Sequence, residues 1–121
     1  MTLREMDDHV AYVQQLHHDD GPVVLINQFN LAPQETGRFL QAWADDAAFM
    51  KQQPGFISTQ LHRAIGESCV FLNYAIWQSV DDFRRAFSHP DFQNSLRAYP
   101  NSAVASPHLF QKIAVPNLCV A

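Results

Sequence analysis

The run Cys69-Val70-Phe71-Leu72-Asn73-Tyr74-Ala75-Ile76-Trp77-Gln78-Ser79 reads as a β-strand with two largely apolar sides. Side chains alternate across a strand. Cys69, Phe71, Asn73, Ala75 and Trp77 therefore point one way, and Val70, Leu72, Tyr74, Ile76 and Gln78 the other. A sheet with helices on one face and water on the other shows a polar second side. This strand does not, so a partner is expected to cover its second face. A symmetric homodimer with two sheets facing each other would do so.

The neighbouring segments complete the pattern. Residues 56–64 alternate in the strand manner, and Ile65-Gly66-Glu67 turns the chain, so the two runs form a hairpin. Before it, Pro33 opens a helix with Glu35 in its first turn. Phe39, Leu40, Trp43, Ala44, Ala47 and Met50 make the apolar face of that helix, and Gln52-Gln53-Pro54-Gly55 ends it. Residues 23–30, rich in β-branched side chains and Phe, read as a strand. After the hairpin, Ser79 caps a helix that starts at Val80, with Asp81 and Asp82 in its first turn. Phe83, Ala86 and Phe87 form its buried face. His89-Pro90 breaks it and restarts a short helix carrying Phe92, Leu96 and Tyr99. After a loop over 100–107, a final strand is expected over 108–115, ended by Pro116. The order β-α-β-β-α-β predicts an α+β, ferredoxin-like domain with a four-stranded antiparallel sheet.

Ahead of this domain, Leu3, Met6, Val10, Val13 and Leu16 recur at helical spacing and predict a helix over 2–18. Gly21-Pro22 stops it. The expected organisation is an N-terminal helical arm over 1–21, the domain over 22–116 and a tail over 117–121. The arm's apolar stripe needs a surface on the body or on a second subunit.

A length of 121 residues leaves room for one domain. With 47% hydrophobic and 17% charged residues, the chain is not of the disordered class. Eight basic against 12 acidic residues give a net charge of −4. That balance argues against a nucleic-acid footprint and against a polybasic membrane patch. The longest aliphatic run, Val23-Val24-Leu25-Ile26, falls far short of the roughly 20 residues that span a bilayer. The polar, acidic first residues do not read as a signal peptide. Cys69 and Cys119 read as free thiols of a reducing cytoplasm. The nine Phe residues exceed what a small core needs, which leaves aromatic surface for a cavity or an interface.

No phosphate loop, dinucleotide fingerprint or nucleophile elbow is present in the sequence. None of the six histidines forms a helical ligand pair. His17-His18-Asp19-Asp20 is metal-like by composition, but it lies before a breaker and reads as a solvated terminus. No metal and no cofactor are expected. The informative residues are polar ones inside apolar strands. Asn27 interrupts the first strand and Asn73 the third. Burying an unpaired amide costs about 1–3 kcal/mol. Asn73 and Trp77, four apart, reach the same face, and both carry N–H donors. Such donors in an aromatic pocket suit a ligand with a developing oxyanion or enolate. The alternative is that the amides bond a loop and Trp77 is core.

Phe71-Leu72-Asn73-Tyr74-Ala75-Ile76-Trp77-Gln78-Ser79, followed by Phe83 and Phe87, resembles the antibiotic biosynthesis monooxygenase family. So does Gln53-Pro54-Gly55-Phe56-Ile57-Ser58-Thr59 at the helix-to-strand junction. The resemblance covers about residues 22–116. It implies a ferredoxin-like homodimer, the dimeric α/β barrel. Members of that family include small oxygenases that turn anthrone-like phenols into quinones with O2 and no cofactor. It further implies a pocket lined by Asn73, Trp77, Phe83 and Arg97. At Phe83 those oxygenases carry a Tyr; a Phe can neither donate nor accept a proton. A haem-degrading branch of the superfamily uses a first-strand Asn, a third-strand Trp and a helix His. Asn27 and Trp77 match it, but the His position falls on Leu96, and His89 lies seven residues earlier.

The resulting expectation is a cofactor-free monooxygenase acting on a small aromatic substrate. Asn73 and Trp77 would stabilise an anion and Arg97 would lower the substrate's pKa. Phe29, Phe39, Trp43, Phe83 and Phe87 would supply flat walls. His62 and His108, on expected strands, are the candidates for a base. The rival class is a non-catalytic dimer that binds an aromatic metabolite.

Overall fold

A computed structural model describes residues 1–18 and 20–121. Its sheet contains β1 (Thr2–Leu3), β2 (Val23–Asn30), β3 (Phe56–Arg63), β4 (Val70–Trp77) and β5 (Val104–Phe110), in the spatial order β1-β5-β2-β4-β3. The four strands β5-β2-β4-β3 are antiparallel and form the ferredoxin-like core. β1 adds a parallel edge beside β5, so the sheet has five strands instead of the four expected. Helices α2 (Thr36–Lys51), α3 (Val80–Phe87) and α4 (Pro90–Ser95) cover one face.

The caps follow the sequence. Ser79 Oγ accepts from the Asp82 N–H at 3.1 Å, with Asp81 and Asp82 in the first turn of α3. Pro90 opens α4 behind His89, whose Nδ1 accepts from the Asp91 N–H at 3.0 Å. The Pro54-Gly55 junction has a specific cause. Gly55 has φ +87°, and a Cβ there would lie 2.3 Å from Asp82 Cγ. Only glycine lets the chain leave α2 this close to the start of α3.

Three expectations are corrected. The helix over 2–18 is not formed. Residues 2–3 join the sheet, and only α1 (Tyr12–Gln15) is helical. Thr2 and Arg4 instead donate to the edge of β5, and an isolated helix of this length is only marginally stable in water. The final strand starts four residues earlier and ends five earlier than expected, spanning 104–110 with Pro107 inside it. Backbone groups of Ala103 and Ala105 face β1, accepting from Thr2 and Arg4 at 2.8 Å. Pro107 falls on the same outer edge, beyond the end of β1, where no N–H is needed. Two residues on, Gln15 closes that edge. Its amide accepts from the Leu109 N–H at 2.9 Å and donates to the Leu109 C=O at 3.0 Å. Lastly, α2 buries Phe39, Ala42 and Asp46, while Leu40 and Ala44 are exposed. The buried stripe is rotated toward a carboxylate.

Two apolar clusters fill the space between sheet and helices. One holds Val23, Leu25, Trp77, Val80 and Phe83 together with Tyr12 and Leu16 of the arm. The other gathers Phe29, Phe39, Phe71, Tyr99 and Ala105. Among the described residues the opposite face of the sheet carries no helix, and Tyr74 and Phe110 are exposed on it. Cys69 and Cys119 are free thiols. Among the described residues, no helix is long and apolar enough to cross a membrane.

Candidate active site

A cavity of about 250 Å³ lies between the two clusters, under the helices. Its floor is the inner face of the sheet, set by strand alternation: Leu25, Asn27 and Phe29 of β2, and Asn73, Ala75 and Trp77 of β4. α2 supplies Trp43 and Asp46, α3 supplies Phe83 and Phe87, and the segment after α4 supplies Leu96 and Tyr99. The arm forms one wall with residues 1–3 and Tyr12. That volume is just below the roughly 300–1,000 Å³ of most small-molecule sites.

The aromatic walls brace one another. Trp77 meets Phe56 and Phe83 edge-on, at 5.4 and 5.5 Å between centroids. Tyr12 packs edge-on to Phe87 at 5.5 Å, so the arm is locked to α3. Rings fixed this way keep the cavity's shape without a ligand.

Polar atoms form a row across the floor. Asn27 and Asn73 stand opposite each other in the β2–β4 register. The Thr59 hydroxyl donates to Asn73 Oδ1 at 2.6 Å. That bond occupies the oxygen of a planar carboxamide and leaves its two N–H donors for the cavity. Asn27 Oδ1 is buried with no partner among the described residues.

The sequence-predicted site residues divide into two groups. Asn27, Phe29, Trp43, Asn73, Trp77, Phe83 and Phe87 all line the cavity. Four others do not. Phe39 is 0% exposed, wedged between Phe29 and Phe71 with both centroids at 4.9 Å. It supports the wall from behind. Arg97 is exposed on the 3-10 turn Leu96–Ala98, away from the lining. His62 is exposed, and its Nδ1 lies 3.3 Å from the backbone oxygen of Leu72. His108 is buried, but it pairs with Ile26 and so points to the face without helices. Strand parity decides this: Pro107, one residue earlier, is the one that faces the cavity. His17 and His18 are exposed at the end of the arm, and Asp19 lies outside the described residues.

Asp46 is the residue that the sequence reading missed. It is 6% exposed, lines the cavity, and takes a hydrogen bond from Ser95 Oγ on Oδ1. Burial pushes its carboxyl above the usual carboxylate range, opposed by Ser95 and Tyr99 and helped by the nearby Asp45 charge. The Tyr99 phenol is itself pushed up, by burial and by the Asp46 charge. The available signal was an Asp seven residues after Phe39 and three after Trp43, on the apolar stripe of an amphipathic helix.

Comparison with known proteins agrees with this architecture. The family model for antibiotic biosynthesis monooxygenase matches residues 22–98. Deoxynogalonate monooxygenase of Streptomyces nogalater is 35% identical over 89 residues, covering 69% of this chain and 73% of that protein. The structure of SnoaB, a cofactor-independent oxygenase from Streptomyces nogalater, superimposes with a TM-score of 0.70 at 29% identity, covering 81% of this chain and 99% of that one. A conserved protein from Methanosarcina mazei Go1 reaches the same TM-score at 7% identity, a likeness of fold alone. With the strand order, the Pro-Gly junction and the Asn-Tyr-Ala-x-Trp strand in place, the chain belongs to the antibiotic biosynthesis monooxygenase family.

Proposed function

We infer that this chain is a cofactor-independent monooxygenase that oxidises a phenolic or quinol-type polycyclic aromatic to a quinone with O2. The observation that carries the reading is the polar row of Asn27 and Asn73, with Trp77, set into the floor of an otherwise aromatic cavity. Its likeness to a cofactor-independent oxygenase supports the same chemistry. The reaction asks three things of the protein: a flat slot, exclusion of water, and donors for negative charge. The substrate loses a proton and becomes an electron-rich anion. One electron passes to O2, the two radicals join through a new C–O bond, and the O–O bond breaks with loss of water. The net change is anthrone plus O2 to quinone plus water. Asn73 Nδ2 and the Trp77 indole N–H hold the substrate oxygen where charge develops.

The test is incubation with 1,8-dihydroxyanthrone in air and under nitrogen, following quinone absorbance and O2 uptake. Oxygen-dependent turnover well above the buffer rate is expected. Saturable binding without turnover would identify a binding module instead.

A second copy of the chain covers the sheet face that carries Tyr74 and Phe110, both exposed in the single chain. A homodimer burying more than roughly 1,000 Å² is expected. Light scattering at micromolar concentration checks it, and a monomeric mass refutes it.

A further inference from the structure

Two cavity-lining residues each carry a buried oxygen with no close hydrogen-bond partner among the described residues, Asn27 Oδ1 and Asp46 Oδ2, with the Tyr99 phenol beside the Asp46 carboxyl. Buried acceptors left unpaired are rare in folded proteins. Finding both on one cavity calls for a ligand that brings hydrogen-bond donors. Asn27 sits on the sheet floor and Asp46 on the helical roof, so the ligand lies between them. Among the described residues no lysine, arginine or histidine pairs with Asp46. The groups that act on it are Asp45 from its own helix, and Ser95 and Tyr99 from the α4 side. Its free oxygen is therefore not held by a structural ion pair.

We propose that Asp46 is the proton acceptor of this site, taking the proton of a substrate phenolic hydroxyl onto Oδ2. This rests on the reading of the site given above. The substrate O–H bond breaks, the Asp46 Oδ2–H bond forms, and the electron pair stays on the substrate oxygen. The anion is then the species that passes an electron to O2. The proton is later returned to the oxygen that leaves as water.

Ser95 is the positioning residue. Its hydroxyl lies within reach of both Asp46 Oδ1 and the Phe92 backbone oxygen, the latter at 2.6 Å. It holds one proton. With Asp46 ionised, that proton goes to Oδ1. With Asp46 neutral, it goes to the Phe92 carbonyl. The carboxyl thus changes charge without leaving Ser95 unsatisfied. Burial supports the role: a carboxylate raised from its usual range is a better match to a phenol than a solvated one.

The test compares wild type with Asp46→Asn and Asp46→Glu, using 1,8-dihydroxyanthrone as probe. Asp46→Asn should lower kcat/KM by roughly 10²–10⁴-fold, the usual worth of a general base. Asp46→Glu should restore part of it. In wild type, kcat/KM should rise as pH passes upward through the Asp46 pKa, and the Asn variant should lose that limb. Under nitrogen, probe bound to wild type should show the absorbance of its anion at a pH where the free probe is neutral; the Asn variant should bind it neutral. A melt guards against misfolding. A raised folded pKa contributes stability only at low pH, and that contribution is gone once pH exceeds the folded value. Asp46→Asn should therefore melt no lower than wild type at neutral pH. Wild-type turnover matched by Asp46→Asn, with the anion band retained, overturns the assignment alone. No turnover by wild type overturns the reading of the site and this assignment with it.

Discussion

Asn73→Leu separates a residue that stabilises charge from one that merely packs. Asn73 is half-buried, and its known bond is the 2.6 Å contact from Thr59. Losing one such bond costs about 1 kcal/mol. Leucine returns part of this by burying apolar area at roughly 25 cal/mol per Å². The melting midpoint should therefore fall by no more than about 4 °C. The rate effect is larger. Removing one preorganised donor from a dry site costs about 10²–10³ in turnover, or roughly 2.7–4 kcal/mol of barrier. The barrier change thus exceeds the stability change by about 2 kcal/mol or more. The assay is O2 uptake with 1,8-dihydroxyanthrone, normalised to folded protein by near-ultraviolet circular dichroism. Thr59→Val is the companion variant. It leaves Asn73 in place but frees its amide to rotate, and about a tenfold loss is expected, close to 1.4 kcal/mol. The reasoning fails if Asn73→Leu keeps turnover per folded molecule within a few-fold while its melting midpoint drops.

Two further outcomes follow from the packing. Phe39→Ala removes a ring that touches Phe29, Phe71 and Tyr99, and should cost about 3–5 kcal/mol in urea unfolding; a loss under 1 kcal/mol would show that the second cluster collapses to fill the space. Gly55→Ala forces a left-handed residue and places its Cβ against an Asp82 side chain held by Ser79 at 2.9 Å, so a penalty of roughly 1–3 kcal/mol is expected in the same assay; an unchanged midpoint would mean that Asp82 moves aside freely.

What was legible in the sequence was whatever depends on local chemistry. The first strand, the Ser79 cap with its acidic turn, the restart at His89-Pro90 and the hairpin around Gly66 each follow from residues within a few positions of one another. The misread elements depended on distant partners. Leu3 through Leu16 has helical spacing, yet the chain gains more by pairing residues 2–3 with β5 and seating Tyr12 and Leu16 in the core. Pro107 argued against a strand only until the end of β1 left its edge position without need of a donor.

The same division runs through the site. Asn73 and Trp77 could be placed on one surface from the sequence, because a period of two assigns a strand residue to its face once the strand is known, whereas Asn27 joins them only through the β2–β4 register. His62 and His108 pair with Leu72 and Ile26 on the outward side, a parity fixed only by the observed strand bounds and register, and Arg97 sits on a short turn whose direction no local pattern records. Asp46 is the clearest case. An Asp on a helix is ordinarily a solvated residue, and its place on the apolar stripe is a hint of burial that does not say what would pair its carboxylate. Only the docking of α2 against α4 sets Ser95 and Tyr99 beside its carboxylate and leaves the other oxygen buried without a close partner among the described residues, on a residue that lines the cavity. The alternation of the strands thus determined which residues share the floor. The tertiary packing decided which charge faces them from the roof, because the free energy of a buried carboxylate is set by neighbours distant in the chain.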